Sequence, residues 1–476
     1  MHRLLVSAAH KSSGKTTVTL GLCAALAEAG TVVQPYKKGP DYIDPMWLAR
    51  AAGRPCFNLD PYLMDDAALE RCFVDNGRGA ELAIVEGNKG LYDGLALDGS
   101  NSNAAVAKRL GLPVLLVIDA RGMTRGIAPL ILGYQAFDRA IRIGGVILNR
   151  VGGSRHEAKL RAVIEHYTDV PVLGAVAEDE RLAVMERHLG LMPCAELDDA
   201  AARVHEIGCQ VGAQVDLGRV RALAASAAPG FDAPASDADT IAPATARRAA
   251  VRIAIARDRA FGFYYPDDLA ALEAAGAELV PIDTLHDQRL PAVDGLFIGG
   301  GFPEACMTEL EANTRLRAAL RKAIEGGLPT YAECGGLMYL SRSITWRGRT
   351  AQMVGAIPGD AVMHSRPQGR GYVHLEETAA LPWAPAAEGA AQRGHEFHHS
   401  SLENLDTGVG FAYRVTRGHG VDGHHDGVLV HKLLASYAHL RSAAGTGWAP
   451  RFVAYVRSER ALREAGAVPR AMASNP

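Results

Sequence analysis

From residue 3 to about 225 the chain alternates short runs of Leu and β-branched residues with longer amphipathic stretches. This is the pattern of βαβ units around a parallel sheet. The apolar runs that predict strands are Leu4–Val6, Val32–Gln34, Leu82–Val85, Val114–Ile118, Gly145–Leu148 and Val172–Val176. Between residues 226 and 249 the sequence turns rich in Ala, Pro, Ser and Asp, with too little apolar bulk to pack, which predicts a linker. A second alternation begins at Val251–Ala256 and continues through Leu279–Ile282, Gly295–Ile298, Thr330-Tyr331 and a β-rich stretch after residue 350. Two α/β domains are therefore expected, 1–225 and 250–457, followed by a tail at 458–476 that starts helical and then frays.

Length agrees, because 476 residues exceed what one core organises. With 48% hydrophobic residues, 22% charged residues and a net charge of −3, the composition is that of an ordinary globular chain rather than a disordered one and does not suggest nucleic acid as a partner. No apolar run approaches the roughly 20 residues that span a bilayer, and the N-terminal segment is too short for a signal peptide, so the expected compartment is the cytoplasm. The cysteines number 7, an odd count without a CxxC pair, which argues against a disulfide framework and a zinc ribbon.

The first strand runs into Ser12-Ser13-Gly14-Lys15-Thr16-Thr17, and a helical stretch, Val18 to Ala29, follows. A phosphate chain needs converging backbone N–H groups, a helix N-terminus, a lysine and a hydroxyl for Mg²⁺, all of which this segment supplies. Ala9 stands where the full P-loop pattern has glycine. Mg²⁺ also requires carboxylate oxygens near strand ends, and the candidates are Asp41 and Glu86. Asp44 and Asp93 rank lower, because loop aspartates more often form turns.

In the second domain Leu328-Pro-Thr-Tyr-Ala-Glu-Cys334-Gly335-Gly336 reads as strand, sharp turn and helix with Cys334 at the tip, a nucleophile elbow. A thiol at a helix N-terminus is expected to have a lowered pKa. Upstream, Gly300 and Gly301 follow a strand and, with Gly335, could offer N–H groups to a tetrahedral oxyanion. Among 17 histidines the base is assigned to His439, which ends the apolar run beginning at Leu433. His395-Glu-Phe-His-His399 matches HExxH, yet no amphipathic helix surrounds it to bring two ligands onto one face, so zinc is not expected there. His424-His425 lies in a glycine-rich loop and reads as solvated surface.

Over essentially its whole length the chain resembles the cobyrinic acid a,c-diamide synthases, within the larger group of cobyric and dethiobiotin-type ATP-dependent synthetases. The resemblance rests on Ser13-Gly-Lys-Thr-Thr17, Lys38-Gly-Pro-Asp-Tyr-Ile-Asp-Pro45, Asn58-Leu-Asp60, Glu86-Gly with Gly90-Leu-Tyr-Asp-Gly94, Leu148-Asn-Arg-Val151, Glu333-Cys-Gly-Gly336, Gly394-His-Glu-Phe-His398 and Ala435-Ser-Tyr-Ala-His439. It implies a dethiobiotin-synthetase-like P-loop domain joined to a class I glutamine amidotransferase domain. Cys334 would be the nucleophile and His439 its base, with Mg²⁺ at Thr16, Asp41 and Glu86 and adenine contact near Asn149. ATP, Mg²⁺ and L-glutamine are implied, and the substrate would be a tetrapyrrole whose a and c acetates become amides. Lys38, Tyr42, Asn88, Lys89 and Asp93 are expected to face that carboxylate-rich ring. Lys38, Asn88 and Lys89 depart from the family's usual residues, as does Arg441 where a second histidine is frequent. A sirohydrochlorin-type ring is therefore the alternative substrate. A P-loop switch protein with a glutamine-sensing domain is the alternative class, and it would need neither thiol nor base. A homodimer is the general expectation for an enzyme of this size.

Overall fold

The computed structural model describes residues 1–182, 186–187, 190–197, 199–228, 250–385 and 391–466. Most of the predicted linker (229–249) and the end of the predicted tail (467–476) lie outside these residues. The chain forms two compact units, 1–241 and 242–476. Among the described residues no helix is long and apolar enough to cross a membrane.

The first unit is built on β1 (His2–Ala8), β2 (Val33–Lys38), β3 (Phe57–Leu59), β4 (Leu82–Glu86), β5 (Val114–Asp119), β6 (Ile143–Val151) and β7 (Val172–Ala177), in the order β3-β2-β4-β1-β5-β6-β7. Every pairing is parallel. The strand order reverses at β1, so the crevice beyond its carboxyl end is where a ligand is received. The first helix, Lys15–Glu28, begins there. Two expectations change. β2 runs on to Lys38 instead of stopping at Gln34, because Tyr36, Lys37 and Lys38 pair with β3, a strand too short to leave an apolar signature. The helix starts at Lys15, before Val18, because Gly14 (φ 85°) turns the chain directly into it.

The second unit carries a ten-stranded mixed sheet. Its parallel half runs Ala277–Ile282, Val251–Ala256, Gly295–Ile298, Thr330–Glu333 and Leu433–Ser436. Antiparallel strands continue it to Gln392–His398 and the short strand His439–Leu440. One face is sealed by the helix Trp448–Gly466, whose Trp448, Phe452, Val453 and Val456 pack with Val251, Ile253, Phe297 and Tyr331. The sequence reading made Leu433 to His439 one strand, but the structure breaks it. The buried Asp426 carboxylate accepts from the N–H groups of Tyr437 and Ala438 at 3.0 and 2.9 Å, pulling the chain out of one strand and starting another at His439.

Candidate active site

In the first unit, backbone and side chains hold the phosphate loop from below. Asn149 Nδ2 donates to the Ser13 carbonyl at 2.9 Å, and a Cβ at residue 14 would lie 2.0 Å from that nitrogen, so glycine is required there. Arg150 donates to the Ser12 carbonyl at 2.8 Å and pairs with Asp119 at 2.8 Å. Asn149, expected near adenine, is thus placed beneath the loop. Lys15 is buried, which pulls its pKa down, and the nearby Lys37 adds to that effect. Thr17 sits half-buried in the first helical turn.

Beside the loop is a buried acidic cluster that holds a lysine. Thr16 Oγ1 donates to Glu86 Oε1 at 2.7 Å and to Asp44 Oδ2 at 3.3 Å. Lys37 Nζ lies 2.5 Å from Asp44, 3.1 Å from Glu86 and 4.0 Å from Asp41. Burial works against the Lys37 charge, but Asp44, Glu86 and Asp41 outweigh it and hold the ammonium well above its usual range. Burial and then Asp44 push the Asp41 carboxyl up, and burial does the same to Glu86. The sequence order of the two aspartates is reversed in geometry. Asp41 Oδ1 accepts from the N–H groups of Ile43 and Asp44 at 3.0 and 3.1 Å, capping the next helix, while Asp44 reaches Thr16 and Lys37. Neither the sequence pattern nor the turn rule singled out Lys37; its signal is a charged residue inside a strand whose every position is buried.

Of the residues expected to face substrate, Lys89 and Asp93 are exposed, Asn88 is half-buried, and Lys38 and Tyr42 are buried. Asp93 Oδ2 accepts from Gly90 N at 2.9 Å, so it shapes its own loop. Asn103 clamps Asn88 through backbone hydrogen bonds of 2.9 and 2.7 Å.

In the second unit Cys334 stands at φ 46°, ψ −99°, between the strand Thr330–Glu333 and the helix Gly335–Leu340. This strained turn is the elbow the sequence predicts. The adjoining Glu333 was not singled out. Its Oε1 accepts from Tyr331 Oη at 2.7 Å and from Leu440 N at 3.1 Å, and its Oε2 faces His439 Nδ1 at 3.2 Å. A carboxylate on Nδ1 fixes the ring orientation and makes Nε2 the nitrogen that exchanges a proton. Strand alternation hid this arrangement, because the partner lies 106 positions away and is reached only through sheet closure.

Gly300 borders His439, and Gly301 packs against Gly335 beside Cys334. A Cβ on Gly300 would lie 2.7 Å from His439 Cε1, one on Gly335 would lie 2.9 Å from Gly301 N, and one on Gly301 would lie 1.9 Å from the Ala260 carbonyl oxygen. The Gly335 N–H interacts with the Cys334 sulfur. The expected lowering of the thiol pKa is overturned: burial pushes it up, Glu304 pushes further, and the six-residue helix behind it is too short to compensate.

His395 stacks on His439, with ring centroids 4.9 Å apart and planes at 17°, and burial holds its pKa well below the usual range. Arg441 is fully buried, pairs with Asp267 at 2.8 Å and lies over the Tyr265 ring at 4.8 Å, so it anchors the strand behind His439. The HExxH segment is not helical: residues 395–398 belong to the strand Gln392–His398 and His399 forms a bend after it. Its Glu396 accepts from the N–H groups of His419 and Gly420 at 2.7 and 2.8 Å. Among the described residues no metal-sized cluster includes His395 or His399.

Residues 252–446 match the CobB/CobQ-like glutamine amidotransferase domain, and residues 2–186 match an AAA domain. The chain is 48% identical to the cobyrinate a,c-diamide synthase of Magnetococcus marinus over 96% of this chain and 97% of that protein. It is 41% identical to that of Methanosarcina acetivorans over 93% of each. The relative in Dehalococcoides mccartyi, of the same name, shares 38% identity over 95% of this chain and 97% of that protein. The first domain binds nucleotide, and neither the sirohydrochlorin alternative nor the switch-protein alternative is favoured by these relatives. With this identity sustained across both units, the chain belongs to the cobyrinate a,c-diamide synthase family.

Proposed function

We propose that the protein amidates the a and c acetate carboxylates of cobyrinic or hydrogenobyrinic acid, using ATP and ammonia taken from glutamine. The observation that carries this reading is the buried Glu333–His439 pair beside the Cys334 elbow, in a chain whose other unit carries Lys15, Thr16 and Glu86 on a phosphate loop. The Cys334 thiol gives its proton to His439, and the sulfur attacks the glutamine carboxamide. Gly301 and Gly335 N–H groups receive the developing oxyanion. His439 returns the proton to the leaving ammonia, and water then cleaves the glutamyl thioester to glutamate.

In the synthetase domain the substrate carboxylate takes the γ-phosphoryl of ATP, releasing ADP, and ammonia displaces phosphate from the acyl phosphate. Lys15 and Lys37 offset charge on the transferring group. Hard oxygen donors, together with a buried Glu86 Oε2 that has no hydrogen-bond partner, fit Mg²⁺ at Thr16, Asp44 and Glu86, with Asp41 alongside. Bound there, Mg²⁺ would supply the charge that neutralises the phosphates. Lys89, Asn88, Lys38, Tyr42 and Asp93 are assigned to the tetrapyrrole side, and Asn149 with Arg150 to the nucleotide side. The synthetase domain is assigned to 1–225 and the amidotransferase domain to 250–457. The reading places a homodimeric enzyme in the cytoplasm, where ATP and glutamine are supplied.

Incubation with cobyrinic acid, hydrogenobyrinic acid or sirohydrochlorin, plus ATP, Mg²⁺ and glutamine, followed by mass measurement, tests the substrate. Two amidations of a corrinoid are expected, and product from sirohydrochlorin alone would overturn the reading. Cys334→Ala should lose glutamine-driven synthesis and keep ammonia-driven synthesis, whereas Lys15→Ala should lose both.

A further inference from the structure

On the outer side of the first unit three potential metal ligands meet away from the phosphate loop. Glu28 is the last residue of the first helix; His205 and Cys209 lie on the helix Ala200–Gln214. All three are exposed, and one ligand atom from each lies within 4.8 Å of the others. Spacing of four residues puts His205 and Cys209 on one helix face a turn apart. Their neighbours Val204, Ile207, Gly208 and Val211 are buried against the first helix. Close approach makes this helix pair rigid: a Cβ on Gly208 would lie 2.8 Å from Ala24 Cβ, and one on Gly21 would lie 2.4 Å from Val211.

The two imidazole nitrogens are divided between the other groups. Nδ1 lies 2.6 Å from Glu28 Oε1, and Nε2 lies 3.6 Å from Cys209 Sγ. A carboxylate on Nδ1 fixes the tautomer whose Nε2 lone pair is open, the arrangement that orients metal-binding histidines. Bond lengths of about 2.3 Å to sulfur and about 2.0 Å to nitrogen at a tetrahedral angle require an S···N edge of about 3.5 Å, close to the observed separation. Electrostatics favour a cation as well. The last turn of the first helix has no basic residue of its own, so its C-terminal dipole adds to the negative charge of Glu28.

We infer that His205 Nε2 and the Cys209 thiolate form a surface site for a borderline-soft divalent ion of the Zn²⁺ or Co²⁺ type, with Glu28 orienting the histidine or completing the ligand set. Binding displaces the Cys209 proton to solvent and leaves the remaining positions to water. The helix carrying Glu28 is 14 residues long, so the site lies about 20 Å from Lys15 at its other end and is separate from the phosphate-binding oxygens.

Titrating the full-length protein with Co²⁺ and following thiolate-to-metal charge-transfer absorption tests this, with Zn²⁺ as competitor. One equivalent should saturate a signal that Zn²⁺ abolishes and that is absent from Cys209→Ser and His205→Ala. Glu28→Gln should weaken binding about 10- to 100-fold. Unchanged ammonia-driven, ATP-dependent amidation, the reaction assigned to the same unit, together with an unchanged melting temperature establishes that these surface variants are folded. A Cys209→Ser/His205→Ala double variant that titrates like the parent, or a parent without saturable Co²⁺ absorption, would overturn the assignment.

Discussion

Replacing Glu333 with Gln changes no volume and asks whether this side chain sets the state of His439. Three donors now meet its two carboxylate oxygens: Tyr331 Oη at 2.7 Å, Leu440 N at 3.1 Å and His439 Nδ1 at 3.2 Å. Glutamine has one oxygen and one NH₂ group. If the oxygen stays with Tyr331 and Leu440, the NH₂ faces His439 Nδ1, and the ring must turn its lone pair toward it. Nε2 then carries the hydrogen and cannot accept the thiol proton. The opposite orientation leaves two buried donors facing an NH₂ group, at about 1–3 kcal/mol for each one left unsatisfied, so the first is favoured. Positioned proton transfer contributes about 10²- to 10⁴-fold, and glutamine hydrolysis should fall by that factor, mainly in kcat. The barrier rises by about 3 to 5 kcal/mol. The assay pairs glutamate release with ammonia-driven, ATP-dependent amidation. The first should collapse while the second and the melting temperature hold. Glutaminase within threefold of the parent would refute the orienting role.

Two further outcomes follow from the same elbow. Because burial and Glu304 raise the Cys334 pKa, the thiolate is scarce at neutral pH and should grow about tenfold per unit as pH rises toward that pKa. Iodoacetamide alkylation of the Cys334 peptide, read by mass spectrometry, should therefore climb through pH 9, whereas a plateau near 7 would show a thiolate already formed. Gly301→Ala puts a methyl 1.9 Å from the Ala260 carbonyl, so the pairing of Phe261–Phe263 with Gly300–Gly301 must open. Loss of glutaminase with a melting temperature lowered by overpacking of about 1–3 kcal/mol is expected, and full activity would contradict the close approach.

The sequence was informative where chemistry is local. Strand, turn and helix around Lys15 and around Cys334 are each contained within a dozen or so residues, and period and glycine placement reveal them. It was uninformative where function depends on sheet closure. Glu333 meets His439 only because Thr330–Glu333 pairs with Leu433–Ser436 and the chain then crosses to Gln392–His398. The same reasoning explains the aspartates. The turn rule ranks Asp44 below Asp41, whereas the helix beginning at Ile43 binds Asp41 with its first N–H groups and aims Asp44 inward. The thiol prediction failed because a helix N-terminus is legible in sequence and burial at a sheet's end is not.

Lys37 ties the synthetase site to stability. Asp41, Asp44 and Glu86 all lie within 4.0 Å of its nitrogen, and the first helix presents Lys15 nearby. Removing one partner of a buried ion pair costs about 3–5 kcal/mol, because the other is left charged and uncompensated. For a domain of this size each kcal/mol shifts melting by about 2–4 °C, so Lys37→Met should lower the melting temperature by about 6–20 °C at neutral pH. The Asp41 and Glu86 carboxyls have pKa values raised by burial and by the neighbouring Asp44 charge. A group raised above its unfolded value contributes stability present at low pH and lost as pH rises through the folded pKa, so the deficit must shrink as pH falls. Divalent cation should restore more stability to the variant than to the parent, since it supplies the missing charge among oxygen donors. A deficit that is independent of pH and equally indifferent to Mg²⁺ would mean that the aliphatic stem of Lys37, rather than its charge, holds this corner of the sheet.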